Sequence, residues 1–68
     1  EPSLYQLLNG LNSRLYKNRS VTISCLKDLV SPKNCSIIKL ALTKQLQLEK
    51  SVAVKNKIEK FFEDLKIC

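Results

Sequence analysis

Apolar residues recur at helical spacing near both ends of this 68-residue chain. At about 100° per residue, each of two stripes falls within an arc of about 100°, the width of a helix face that packs against a core. The stripes are Leu4, Leu7, Leu8, Leu11 and Leu15, and then Val54, Ile58, Phe61, Phe62 and Leu65. Between them, the segment 37–42 is apolar on nearly all sides. The pattern predicts helices at both ends and in the middle.

Proline and glycine positions indicate where the first two helices begin and end. Pro2 suits the first position of a helix, and we predict a helix from there to about Lys17 that contains Gly10. A loop at 18–20 then leads into a second helix, which ends at 29–30. The sequence therefore predicts two helices in this part of the chain, separated by a short loop.

The second half of the chain predicts two more helices. Ser31 and Pro32 suit the cap and first position of a third helix, which we expect to run to about Gln45. Because this helix is apolar on most sides, it should be the central and most buried element. After a connection at 46–50, a fourth helix should run over 51–65.

Residues 21–25 also alternate like a strand, which leaves a β alternative open there. The apolar spacing beyond them is helical, so we predict an all-α fold, a compact four-helix module. We expect a single domain over 1–68. The start at Glu1 and Pro2 and the lack of methionine indicate a fragment of a larger protein.

A chain of this size has little interior in which to bury its apolar residues. Domains near this length bury only about 60% of their unfolded surface, and natural examples often gain stability by oligomerisation. We therefore predict an oligomeric helical bundle, a dimer or tetramer. The self-association surface should come from the first and last helices, and its residues are Tyr5, Leu8, Asn12, Tyr16, Phe61, Phe62, Leu65 and Ile67.

The three cysteines and the lack of histidine exclude several kinds of chemistry. Cys25, Cys35 and Cys68 are odd in number and have no C-x-x-C spacing, so we expect reduced thiols in an intracellular protein. A zinc site needs about four nitrogen or sulfur ligands, and acid–base catalysis most often uses histidine. We expect no metal, no cofactor, no enzyme activity, no small-molecule substrate and no membrane partner. Every carboxylate should be a solvated surface charge.

The net charge of +6 belongs mainly to the first two-thirds of the chain. Seven basic residues and two acidic ones precede Glu49, whereas five lysines and four acids follow from there. Such an excess favours attraction to a polyanion or simply solubility. Candidate nucleic-acid-binding residues are Arg14, Lys17, Arg19, Lys33, Asn34, Lys39, Lys50 and Lys55.

An alternative function is a helix-turn-helix or winged-helix-like domain that reads duplex DNA. In this reading the segment 21–38 supplies the two helices, and the recognition helix starts near Lys33. Asn34, Ser36 and Lys39 would then reach into the major groove with Lys33.

A family resemblance rests on Leu26-Lys27-Asp28-Leu29-Val30, on the segment 34–39 with its Ile-Ile pair, and on Ile58, Phe61 and Phe62. These positions resemble the C-terminal domain of the bacterial RNA polymerase alpha subunit. They are also similar to the C-terminal domain of the telomeric Rap-interacting factor. The resemblance implies tetramer assembly, a telomeric or chromatin protein partner, contact with DNA and a nuclear location. It departs at 45–51, which lacks the glycine hairpin of the polymerase domain.

Two tripeptides match the N-glycosylation sequon, Asn18-Arg19-Ser20 and Asn34-Cys35-Ser36. They have meaning only in a secreted protein, because the modification takes place in the secretory pathway. They leave a secreted helical factor as a third hypothesis, beside self-association and nucleic-acid binding.

Overall fold

A computed structural model describes residues 4–65, and every regular element within them is helical. The α-helices are α1 (Leu4–Asn9), α2 (Tyr16–Leu29), α3 (Cys35–Leu48) and α4 (Val52–Asp64). A 3₁₀ helix over Gly10–Asn12 continues directly from α1. The predicted all-α fold with four helices is confirmed, and the strand alternative at 21–25 is wrong because these residues lie inside α2.

The first helix is much shorter than the sequence predicts, and Gly10 marks its end. Gly10 lies against Thr22 of α2, whose Oγ1 donates a hydrogen bond to the carbonyl of Asn18 at 2.9 Å. A Cβ at residue 10 would overlap Thr22 Oγ1 and lie 3.2 Å from Thr22 Cβ. Gly10 has a negative φ, so the position needs glycine for space rather than for backbone conformation. The missing side chain at Gly10 thus lets this part of the chain approach α2 closely.

The chain leaves the helical path at Ser13, where ψ is 142°. Ser13 Oγ accepts hydrogen bonds from the Leu15 amide at 3.3 Å and from Asn18 Nδ2 at 3.1 Å. The backbone then enters α2 at Tyr16, so the predicted loop at 18–20 is wrong. Leu15, predicted to face the core with the first stripe, is exposed instead.

Asn34 explains why α3 begins three residues later than predicted. Its Oδ1 accepts a hydrogen bond from the Ser31 amide at 2.7 Å, and its Nδ2 donates to the Leu29 carbonyl at 3.2 Å. These bonds close the turn that follows α2, and the residues from Ser31 to Asn34 stay outside the helix. The predicted start at Pro32 is therefore wrong.

The start of α4 agrees with the prediction. Ser51 is the N-cap, and its Oγ accepts a hydrogen bond from the Val54 amide at 3.4 Å. A serine in extended conformation at this position satisfies one of the free amides of the first turn. The preceding connection is shorter than expected, because α3 extends through Leu48.

The core lies where α2, α4 and the 3₁₀ helix meet and where α3 packs on α4. Its fully buried side chains come from α2, α3 and α4, and Leu11 of the 3₁₀ helix and Phe61 of α4 are also buried in it. Leu4, Leu7 and Leu8 of α1 pack against it while half-buried. The largest buried side chains are Ile23, Leu26, Ile38, Leu42, Val54 and Ile58.

Candidate protein-interaction surface

Helix α3 has apolar residues on two opposite faces, and only one of them is buried. Ile38 and Leu42 are 0% exposed on the inner face. Ile37, Leu40 and Leu48 are 44%, 60% and 75% exposed, and helical geometry places them within an arc of about 80° on the other side. The prediction that α3 is the most buried element is wrong for this half of the helix. We call these three residues the outer α3 face.

The surroundings of the outer α3 face are polar and flat. Lys44 lies within the same arc and is exposed. Beside it is a shallow depression that is lined by Ser36, Lys39, Leu40 and Thr43. Thr43 Oγ1 donates to the Lys39 carbonyl at 2.7 Å, so this hydroxyl satisfies the backbone of its own helix. The face therefore offers apolar contact area with a charged rim, without a deep pocket.

The other large exposed apolar side chains among the described residues are scattered. Tyr5 lies on α1, Val21 on α2 and Val52 at the start of α4. Leu15 and Tyr16 lie at the start of α2. None of these elements presents three such residues along one face of a helix, as α3 does.

The predicted self-association residues of the first helix do not form a continuous stripe. Tyr5, Asn12 and Tyr16 are exposed, but they belong to α1, the 3₁₀ helix and α2 in turn. Leu8 is half-buried against the core. The stripe assumed one unbroken helix, and the chain breaks that helix at Ser13.

The predicted seam on the last helix is used inside the molecule. Phe61 is buried, and Phe62 packs half-buried against the core with its ring centroid 6.4 Å from that of Phe61 in an edge-to-face arrangement. Leu65 also packs against the core, and Ile67 lies outside the described residues. Phe61 is therefore not free to contact a second chain, and Phe62 and Leu65 offer it only part of their surface.

Arg19, predicted to bind nucleic acid, instead forms an ion pair with Glu49. Its Nε and Nη2 each lie 2.8 Å from a Glu49 carboxylate oxygen, and its Nη1 donates to the Ser13 carbonyl at 2.7 Å. Glu49 also accepts from Gln45 Nε2 at 2.9 Å and from the Ser51 amide at 3.0 Å. The pair joins the end of α3 to α2 across 30 positions of sequence.

The side chain of Glu49 is 0% exposed, so the prediction that every carboxylate is solvated is wrong here. Burial by itself raises the pKa of this carboxyl. The hydrogen bonds from Arg19, the Ser51 amide and Gln45, together with the Arg19 charge, outweigh burial and lower the pKa from 4.5 to about 2. Glu49 is therefore ionised in the folded protein at neutral pH. Local sequence carried no signal for this pair, because its two members lie on different elements.

Asn34 is also occupied, since its amide closes the turn before α3. Lys33 shares that turn, so neither residue lies on a recognition helix as the helix-turn-helix interpretation required. Ser36 and Lys39 are exposed on α3. Only two of the four residues proposed to contact the major groove, Ser36 and Lys39, therefore lie on α3.

The other basic residues that we predict to bind nucleic acid do not all line one surface. Arg14 and Lys50 line the same open cleft as Asn12 and the Arg19–Glu49 pair. Lys17 is exposed near the start of α2, and Lys55 is half-buried on α4. The structure brings Arg14 and Lys50 together, whereas Lys33 in the turn before α3 and Lys39 on α3 do not line this cleft.

The cysteines differ from the expected set of reduced thiols. Cys35 is buried and disulfide-bonded, whereas Cys25 is a free and exposed thiol. Cys68 lies outside the described residues. The expectation of reduced cysteines is wrong for Cys35, because an odd total does not prevent two of three from pairing. No cluster within residues 4–65 has the three or more His, Cys, Asp or Glu side chains that could hold a metal ion.

No family model, curated protein or solved structure matches this chain. The resemblance to the telomeric factor and to the polymerase domain therefore stays a prediction. Within the described part of the chain, no helix has both the length and the apolar character needed to cross a bilayer.

Proposed function

We propose that this chain is a non-enzymatic self-association domain whose copies pair through the outer α3 face. The observation that supports the proposal is the exposure of Ile37, Leu40 and Leu48 on a helix whose opposite face is already in the core. Single exposed apolar residues are common on monomers, but three aligned on one helix face, here with Lys44 between Leu40 and Leu48, form a ridge that a partner can cover. A second α3 is a natural cover for such a ridge, because isologous pairing of one patch with itself is the commonest route to a dimer.

An antiparallel arrangement fits the residues of this face. A twofold axis between Leu42 and Thr43 would set Ile37 of one copy opposite Leu48 of the other. The same axis sets Lys44 opposite the half-buried Ala41, whose small side chain leaves room for the lysine stem. The stem can lie along the apolar surface while the ammonium group reaches water.

The expected dimer is weak and sensitive to concentration. Removing a total of about 400 Å² of apolar surface contributes about 10 kcal/mol at 25 cal/mol per Å². The loss of rotational and translational freedom costs about 4–15 kcal/mol. The two quantities are similar, so we expect the dimer to dissociate on dilution.

The nuclear location and the telomeric or chromatin partner stay predictions of the resemblance. Disulfides persist in oxidising compartments and are rare in the nucleus. The disulfide of Cys35 thus favours an oxidising compartment. Our proposal is restricted to self-association for this reason.

Duplex DNA binding also stays a prediction, and the structure lends it less support than self-association. Arg19 and Asn34 are engaged inside the molecule, and the exposed side of α3 carries an apolar ridge. Contacts to phosphate by the exposed lysines would give an affinity that falls steeply with salt. Absence of a duplex complex at low salt would end this alternative.

Sedimentation velocity over a range of protein concentrations tests the proposal. The wild-type sedimentation coefficient should rise with concentration, and Leu40→Lys should abolish the rise because it places a charge in the paired face. Val21→Lys is the matched control, since Val21 on α2 is 61% exposed and Leu40 is 60% exposed. A wild-type protein that stays monomeric throughout, or equal loss of association in both variants, would refute the proposal.

A further inference from the structure

Asn18 begins a sequon that self-association does not use, and its side chain is open to solvent. It lies in the first turn of α2 and is exposed. Its Nδ2 donates to Ser13 Oγ at 3.1 Å in an exposed hydrogen bond. A sugar attached to Nδ2 would therefore project into solvent without displacing a buried group.

The second sequon is different, because its asparagine is part of the fold. Asn34 is half-buried, and both its side-chain oxygen and its nitrogen hold the turn between α2 and α3. The next residue, Cys35, is buried and disulfide-bonded. A glycan on Asn34 would compete with this turn.

The disulfide is an independent indication of the compartment in which the chain folds. Disulfides form in oxidising environments such as the lumen of the endoplasmic reticulum. N-glycans are attached to Asn-X-Ser/Thr sites in secreted proteins, so the same compartment offers both modifications. The exposed sequon and the oxidised cysteine therefore point to the same pathway.

We propose that Asn18 is N-glycosylated and that Asn34 is not. In the transfer, Asn18 Nδ2 attacks the anomeric carbon of an oligosaccharide that is carried on a lipid diphosphate. The new C–N bond replaces the C–O bond to phosphate. The lipid diphosphate leaves with the electron pair of the broken bond, and one Nδ2 proton passes to a base of the transferase. No oxidant or reductant is needed.

The other two residues of the Asn18 sequon also make contacts in the folded chain. Arg19 turns inward to Glu49, and Ser20 Oγ accepts a hydrogen bond from Lys57 Nζ at 2.8 Å. Freeing the Ser20 hydroxyl costs one contact to a lysine side chain, whereas freeing the Asn34 amide breaks two bonds to the backbone of the turn between α2 and α3.

Peptide mass mapping of the protein from its natural source tests the proposal directly. After treatment with an N-glycosidase in heavy-oxygen water, position 18 should be recovered as labelled aspartate and position 34 as unmodified asparagine. Unlabelled Asn18, or label at position 34, would overturn the proposal.

Translation of the full chain with microsomal membranes provides matched variants. Wild type should gain one glycan, Asn18→Gln should lose it, and Asn34→Gln should keep it. Ser20→Thr preserves the sequon and should also keep it. Retention of the glycan in Asn18→Gln, or its loss in Asn34→Gln, would contradict the assignment.

Discussion

Helices α3 and α4 are nearly equal in length and pack on each other, but they divide their apolar residues differently. On α4, Val54, Ile58 and Phe61 face the core. Its opposite side carries one apolar residue, Val52, and four polar or charged ones, Asn56, Glu59, Lys60 and Glu63. On α3 both sides are apolar, and the core takes only one of them. After Val52 and Ala53 at its start, the apolar residues of α4 therefore pack into or against the core, whereas those of α3 lie on both sides of the helix.

The largest expected effect comes from two adjacent isoleucines of α3. Ile38→Ala should lower the free energy of unfolding by about 2–5 kcal/mol, because Ile38 is fully buried and the truncation leaves a cavity. Ile37→Ala should change monomer stability by less than about 1 kcal/mol, since Ile37 is on the exposed face. Chemical denaturation of dilute protein measures both. Equal losses in the two variants would remove the distinction between the inner and outer faces.

The next largest effect concerns the junction between the two helices, where Glu49 follows α3 and Ser51 caps α4. Glu49→Gln should destabilise the protein by about 3 kcal/mol, because it leaves the Arg19 guanidinium without its counter-charge in a largely buried site. Asp64→Asn is the control. It removes the exposed Lys27–Asp64 pair, and exposed pairs contribute at most about 1 kcal/mol.

The same substitution has a defined pH dependence. The pKa of Glu49 is lower in the folded state than its ordinary value of 4.5, so its contribution is complete above pH 4.5. The contribution is lost as the pH falls from 4.5 through about 2. Unfolding curves of wild type and Glu49→Gln should therefore converge in that range. A constant difference from pH 7 to pH 2 would show that the carboxylate charge is not responsible.

The sequence predicts α4 more accurately than α3, for the same reason that the two helices differ in structure. The bounds of α4 and its buried stripe are confirmed. Its serine cap indicates where the helix begins, and its single apolar face indicates which side is buried. For α3, the pattern could not show which of two apolar faces the core would take. The sequence predicts the first helix too long, because the apolar spacing does not reveal the break at Ser13 or the hydrogen bonds that Ser13 Oγ accepts from Leu15 and Asn18.

The candidate surface was harder to predict than the fold. The sequence pattern predicts self-association through the terminal stripes, but Phe61 is buried in the core and the N-terminal stripe is interrupted at Ser13. The sequence predicts that Arg19 contacts nucleic acid, because its partner Glu49 is 30 positions away and the local sequence does not reveal the pair. The apolar periodicity of α3 predicts two apolar faces. Only the packing of α3 on α4 shows which of the two is buried.

The most direct test of self-association through α3 is a methyl NMR concentration series. Spectra of dilute and concentrated protein should differ at Ile37, Leu40 and Leu48, while the methyl signals of Val52 on the outer side of α4 stay in place. Val52 is a suitable reference because it is 67% exposed. Signals of α3 that do not respond to concentration, or changes centred on Val52, would contradict pairing through the outer α3 face.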